Sequence, residues 1–279
     1  MVLESLINPF TAEKRPWEMF FVGFLYNTIA LFLSWWIFPH YASLIMVFLT
    51  VISCIPLVYS TIKKEEKYDM YETKEYLLIK EHGRVLLFLM FLFLGVMFSV
   101  VLWYVVLPTS LHQNLFGIQS ETIESINSNI SGNVIDKNIN NLFYIFSKNL
   151  RVLMFCWLFS LFYCFGSIFI LVWNASVVGV AIGNFIRINL SKYSSYFSIV
   201  PLAIFRYMTH GFFEIASYFI AGLAGGIISI AVTNHDFGTK KFEHILLDSA
   251  DLVLLSIILL FIAALIEVFI TPTLFPRLF

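Results

Sequence analysis

Residues 204–226 read IFRYMTHGFFEIASYFIAGLAGG, and the fold of the whole chain turns on how this stretch is housed. It is apolar enough for a membrane helix, yet Arg206, His210 and Glu214 stand four residues apart within it. In one helix they form a stripe covering about 80° of arc. Ionisable groups at membrane depth cost about 2.5–3.5 kcal/mol each even on lenient insertion scales, so they persist only with a partner or a purpose. Gly222, Gly225 and Gly226 follow directly, a small-residue run that lets another helix backbone come close.

The surrounding composition agrees. The 279 residues are 59% hydrophobic, 18% aromatic and 13% charged, with mean hydropathy +0.86, against roughly 25% charged residues in soluble domains. The lipid bilayer is therefore the first partner. At about 20 apolar residues per crossing there is room for six or seven spans. The net charge of -1 and the absence of a basic tract exclude a nucleic-acid partner. Cys54, Cys156 and Cys164 lie in apolar segments without Cys-x-x-Cys spacing and read as small buried hydrophobes rather than as a disulfide framework or zinc site. Neither a Walker A nor a dinucleotide glycine pattern occurs, and no cofactor is expected.

Val2, Leu3, Leu6, Ile7 and Phe10 fall at helical spacing and suggest a short amphipathic helix lying on the membrane surface. The apolar run after Trp17 is too long for a signal peptide, so it is expected to stay as the first span, to about Phe38. Trp35, Trp36 and Tyr41 bracket the tight Pro39-His40 turn, and a second span from about Tyr41 to Ile62 completes a hairpin. Lys63, Lys64, Lys67, Lys74, Lys80 and Arg84 then face an equal number of acids. Basic residues in a short loop mark the cytoplasmic side, which puts the N-terminus inside a multi-pass protein of the cell membrane. The loop is expected to be a helical extension of the spans on either side, the alternative being a docking site for a soluble partner.

A third span runs from about Val85 to Leu107. The segment 109–148 should lie outside. Ile123, Ile126, Ile130, Val134, Ile139, Leu142, Phe143 and Phe146 keep a helical spacing interrupted at Gly132, which predicts two amphipathic helices that cap the bundle, lie on the leaflet or dimerise. Asn129-Ile130-Ser131 is a glycosylation triplet of little weight in so Asn-rich a stretch. The fourth span, from about Leu150, should stop at Asn174. The apolar piece 175–188 is shorter than the ~20 residues of a full crossing, so it reads as a re-entrant half-helix or a short buried span, with Gly179 and Gly183 as its contact face. Asp248 and Asp251 stand as N-cap and third-position acid of a last span, which ends at Thr271-Pro272 with Glu267 one turn earlier. The domain division is thus 1–84, a surface helix, hairpin and charged loop, and 85–279, a membrane core carrying the 109–148 insert.

The polar stripe admits several readings. The first is a packing ladder, in which Arg206 and Glu214 neutralise one another through His210. The second is a proton, ion or substrate site on a cavity, joined by Glu267 and Asn174. Gly211 complicates both, because a break there would aim backbone groups at a ligand, as in discontinuous transporter helices. A metal site ranks third, since His210 and Glu214 give only two ligands on one face and zinc needs three or four. Hydrolase chemistry is thinner still, without a Gly-x-Ser-x-Gly elbow, and Ser217 is read as part of a polar face. His244, Asp248 and Asp251 form a second polar set that capping explains. The Gly222–Gly226 run is expected to seat the 175–188 segment, with a homodimer contact as the alternative.

Four features together make the C-terminal two-thirds, about residues 85–275, resemble the stage II sporulation protein M family of membrane proteins. They are the step Asn174 to Gly179, the box His210-Gly211-x-x-Glu214-Ile215, the run Ala221 to Gly225, and Glu267 before Phe269-Ile270-Thr271-Pro272. The N-terminal hairpin and charged loop look like those of archaeal members. In sporulating bacteria the resemblance implies a scaffold that recruits cell-wall-degrading partners during engulfment, a process archaea lack. It brings no enzyme chemistry and no catalytic residue. The expectation is an all-α polytopic bundle of six or seven segments, one short or re-entrant. Its role would be that of a non-enzymatic component of an envelope or membrane-remodelling assembly with membrane or soluble protein partners. A transporter or permease subunit is the rival, and an intramembrane metalloenzyme or hydrolase comes third.

Overall fold

The computed structural model describes residues 15–71, 75–131, 139–163, 166–193, 195–234 and 239–274. Within them the chain is helical throughout, without a strand. The helices are α1 (Glu18–Ile37), α2 (Ala42–Tyr71), α3 (Glu75–Val106), α4 (His112–Ser131), α5 (Ile139–Tyr163), α6 (Ser167–Tyr193), α7 (Tyr196–Thr233), α8 (Lys240–Leu265) and α9 (Thr271–Leu274). A 3-10 turn, Thr109–Leu111, precedes α4, and a π-helical turn, Ile266–Ile270, joins α8 to α9. Seven of the helices are long and apolar enough to cross a membrane: α1, α2, α3, α5, α6, α7 and the α8–α9 unit. The polytopic all-α bundle read from the sequence is what the chain forms. The proposed surface helix at residues 2–10 and Cys164 lie outside the described residues.

Parallel neighbours set the depth of each element. On α1 and α3, Gly23 sits against Leu92 and Val96, and Gly95 against Phe20 and Phe24. Only glycine allows so close an approach of two backbones. Deeper along the same pair, Asn27 Nδ2 donates to Ser99 Oγ at 3.0 Å, Thr50 of α2 donates to Asn27 Oδ1 at 3.3 Å, and Trp103 Nε1 donates to Thr28 at 3.2 Å. This network ties the N-terminal hairpin to α3 inside a layer that lipid cannot hydrate, where each bond contributes about 0.6–2 kcal/mol.

Helix α6 runs parallel to α3, with Gly179 against Met97 and Val100, and Gly183 against Tyr104. Helix α7 runs antiparallel to α6, from the Ser167–Gly222 contact to the Phe185–Tyr207 ring pair at 6.4 Å. Its C-terminal half is the centre of the bundle, since Ser217 to Ala231 are all buried. Lipid-facing side chains lie elsewhere, among them Phe21, Leu25 and Trp36 of α1, Phe159 and Phe162 of α5, and Leu247, Leu254 and Ile258 of α8.

Several boundaries differ from the sequence reading. The chain does not stop at Asn174. It turns near Gly166, whose Cα packs on the Phe159 carbonyl, and α6 then runs uninterrupted for 27 residues. The 175–188 piece is therefore the second half of a long helix and not a re-entrant segment. An asparagine inside a helix costs less than one turn of broken backbone would in lipid. Residues 139–148 are the first turns of α5 rather than a separate amphipathic helix. The side chains of Ile126, Ile130 and Val134 and of the Asn129 triplet lie outside the described residues. The start of α8 is set by Thr239, whose hydroxyl accepts from Phe242 N at 3.2 Å, so Asp248 and Asp251 stand well inside the helix. Asp248 meets His244 Nδ1 at 2.7 Å on a solvated face. Finally, α7 continues through Gly211 without a break for 38 residues, capped by Ser195.

Candidate functional site

The stripe on α7 begins where the bundle opens and ends at mid-depth. Asn27, in the middle of the first crossing, is level with Ser99. Six residues back along α3, Phe93 meets Phe219 of α7 at 6.0 Å. Stepping the same distance along α7 reaches Phe213 and Glu214, so Glu214 lies near the middle of the bilayer. Arg206 stands two turns nearer the face opposite the charged hairpin, about 12 Å away at 1.5 Å per residue.

Each member of the stripe engages a different neighbour. The Arg206 guanidinium lies over the rings of Phe185 at 5.1 Å and Tyr207 at 5.8 Å, an arrangement worth about 0.5–2 kcal/mol. His210 Nδ1 meets Thr271 Oγ1 at 3.4 Å. Glu214 Oε1 accepts from the Tyr218 hydroxyl at 2.8 Å. Beyond Tyr207 and Tyr218 of α7 itself, the stripe reaches two other elements, α6 through Phe185 and α9 through Thr271.

Glu214 and Glu267 are brought within electrostatic reach of one another across α7 and α8. The antiparallel register produces this, because His210 opposite Thr271 places Glu214 opposite Glu267. Glu267 belongs to the π-helical turn, and Thr271 Oγ1 donates back to the Ile266 carbonyl at 3.1 Å across it. The extra residue of a π-turn rotates the helix face locally, a device that recurs at functional sites. Ala263 and Ala264, 2% and 1% exposed, leave the preceding turn thin. Arg206, His210, Glu214 and Glu267 are all half-buried.

Asn174 belongs to the same depth. Between Ser167–Gly222 and Phe185–Tyr207 the α6–α7 register puts Asn174 opposite residues 215–216, and its Nδ2 is buried without a hydrogen-bond partner. Below this level the path closes. Gly222 packs on Ser167 and Ser160, and Gly225 on the Trp157 carbonyl and the Leu161 amide, with Gly226 buried beside them. The two glycine pairs therefore do not meet each other, against the expectation that the Gly222–Gly226 run would seat the 175–188 segment. Gly222 and Gly225 receive mainly α5 and the very start of α6, while Gly179 and Gly183 receive α3.

Among the described residues, no three His, Cys, Asp or Glu side chains come together as metal ligands. Ser217 Oγ donates to the Glu214 carbonyl at 2.6 Å within its own helix. An apolar cleft among Leu92, Phe93, Val96, Leu171, Ala175 and Phe219 lies on another side of α7 from the carboxylates. Sequence reasoning missed Tyr218 and Thr271. Tyr218 was within reach, being four residues after Glu214, whereas Thr271 depends on a register that the π-turn sets.

A family model described as stage II sporulation protein M matches residues 76–272. The chain is also similar to an uncharacterized protein of Methanocaldococcus jannaschii, 32% identical over 162 residues that make up 57% of this chain and 86% of the relative. No solved structure matches it.

Proposed function

The chain belongs to the stage II sporulation protein M family, and on that premise we propose that it is a non-enzymatic component of an envelope or membrane-remodelling assembly. The observation that carries this reading is the length of the two helices on either side of the charged loop. Helices α2 and α3 have 30 and 32 residues, while a crossing needs about 20. Their excess, residues 64–71 and 75–84, carries the two helices beyond that length as a post whose sequence is rich in both charges. Fixed to the core through Asn27 and the Gly23–Gly95 contact, it is a rigid post on which a soluble partner can dock. The basic residues of the post support a cytoplasmic position for it, and with it for the N-terminus, at the cell membrane. Photo-crosslinkers placed at Lys63 and Arg84, both exposed, should capture a protein partner in native membranes that is lost when Lys64 and Lys67 are changed to Glu. A crosslinker at lipid-facing Leu254 is the control. An unaltered set of products removes the post from the role.

A second reading is favoured by the carboxyl pair. Two acids at mid-depth in lipid cannot both ionise at low cost, so Glu214 and Glu267 are suited to hold one proton or a small cation between them, reached along the Arg206–His210 side. The protein would then couple its assembly role to, or directly conduct, a cation. In reconstituted vesicles, Glu214→Gln should leave the protein assembled and abolish proton or sodium flux; flux equal to that of the unaltered protein would sink the reading.

A further inference from the structure

The end of α3 opposite the charged hairpin is held by a cluster that has no part in the carboxyl site. Arg187 of α6 reaches over it. Its Nη1 donates to the Leu107 carbonyl at 2.9 Å and the Tyr104 carbonyl at 3.2 Å, and its Nη2 to Thr109 Oγ1 at 3.3 Å. Those carbonyls belong to the last turn of α3, where helix partners are missing and a cation is favoured. The same Nη1 stands 2.8 Å from His112 Nε2 at the start of α4, so its two N–H groups are shared among three acceptors, and that Nε2 also lies 3.2 Å from the Leu107 carbonyl. An imidazole can take that position as an acceptor only when Nε2 carries no proton. Tyr104 completes the cluster, its ring 4.3 Å from the His112 ring and its hydroxyl bonded to Ser120.

We propose that Arg187 and His112 form an acid-released latch that holds the first turns of α4 against the bundle. Neutral His112 accepts from Arg187 and closes the latch. Protonation at Nε2 replaces the acceptor by an N–H and sets two cations 2.8 Å apart at a part-buried position, where water screens them less than in bulk. The 109–116 segment then leaves α6, uncovering Leu115 and Phe116, which are fully buried when it is closed. The hinge lies further on, at Gln119. Its carboxamide bonds Ser43 of α2 and Ser176 of α6 at 2.5 and 3.3 Å and stays in place whatever the pH.

The charge balance around His112 favours release by acid. From α6 it faces Arg187, and from α3 the neutral phenol of Tyr104. Helix α2 is bonded to α4 through Ser43 and carries no charged residue before Lys63, and the one charged residue of α1, Glu18, lies at the far end of that helix. Glu121 and Glu124 of α4 itself lie beyond the hinge. Burial and the Arg187 charge, opposed in part by the two carbonyls, hold His112 below its ordinary value. The latch is therefore closed at neutral pH and opens in acid.

Amide hydrogen exchange on the full-length protein in lipid nanodiscs tests this, comparing about pH 7.5 with about pH 5, either side of the usual histidine value of ~6.5. After correction for intrinsic exchange, peptides covering 109–118 should lose about tenfold in protection in acid, while 220–230 at the bundle centre stays unchanged. His112→Gln supplies a permanent acceptor and should keep 109–118 protected at both values. Protection of 109–118 that does not change with pH in the unaltered protein overturns the latch, whether or not the variant assembles. An equal loss in His112→Gln overturns it as well.

Discussion

The backbone of Gly225 rests on the carbonyl of Trp157, with the Leu161 amide 3.0 Å from where a β-carbon would stand. This contact lets α5 and α7 approach closely enough to seal the bundle below the carboxyl pair. Gly225→Ala should therefore cost about 1–3 kcal/mol through overpacking. Gly117→Ala on α4, where nothing lies within 4 Å, should be neutral or stabilise by about 0.5–1 kcal/mol. Unfolding in mixed SDS micelles measures both, and equal effects would contradict the packing described.

Asn27 connects three helices, so its removal should loosen the hairpin before the rest. Asn27→Leu leaves Ser99 and Thr50 without their shared partner and should lower stability by about 0.6–2 kcal/mol. Limited proteolysis should then show cleavage within residues 63–84 accelerated relative to cleavage elsewhere. Uniform acceleration would mean that the network is not local to the hairpin.

The carboxyl pair makes a spectroscopic prediction. If Glu214 and Glu267 share one proton, the infrared C=O band of the protonated carboxyl should shift in Glu267→Gln and also in Glu214→Gln, and should disappear only in the double variant. Independent bands lost one at a time would show two separate acids.

For His112 the linkage has a definite sign. Its folded value lies below the ordinary one, so as pH falls the unfolded chain takes up the proton first. The stabilisation is complete above about pH 6.5 and is lost as pH drops from there toward the lower folded value. The melting temperature of the unaltered protein should fall over that interval by more than that of His112→Gln. Parallel curves would place the titration elsewhere.

Much of the fold was legible because lipid imposes a simple rule: every crossing must be an uninterrupted apolar helix. The span from Trp17 to Phe38 and the hairpin turn at Pro39 follow from that rule alone. What failed were local stops. Asn174 and Gly211 look like breaks in isolation, but neighbours on all sides make a continuous helix cheaper than an interruption. The site was legible in part. Spacing put Arg206, His210 and Glu214 on one helix face, whereas Glu267 came to face Glu214 through an antiparallel register and a π-turn that no residue pattern announces. The Arg187–His112 contact joins residues far apart in sequence, and neither sits in a stretch unusual enough to attract notice.

The first hairpin also has a consequence for topology. The family match starts at residue 76, after α1 and α2, so the chain carries two crossings ahead of the matched core. Two is an even number, and a pair of crossings returns the chain to the side from which it started. The core is therefore threaded in the same sense with or without the pair. Such an addition can be gained or lost in a lineage without turning the core inside out, and what it changes is the surface of α3 that is exposed to lipid.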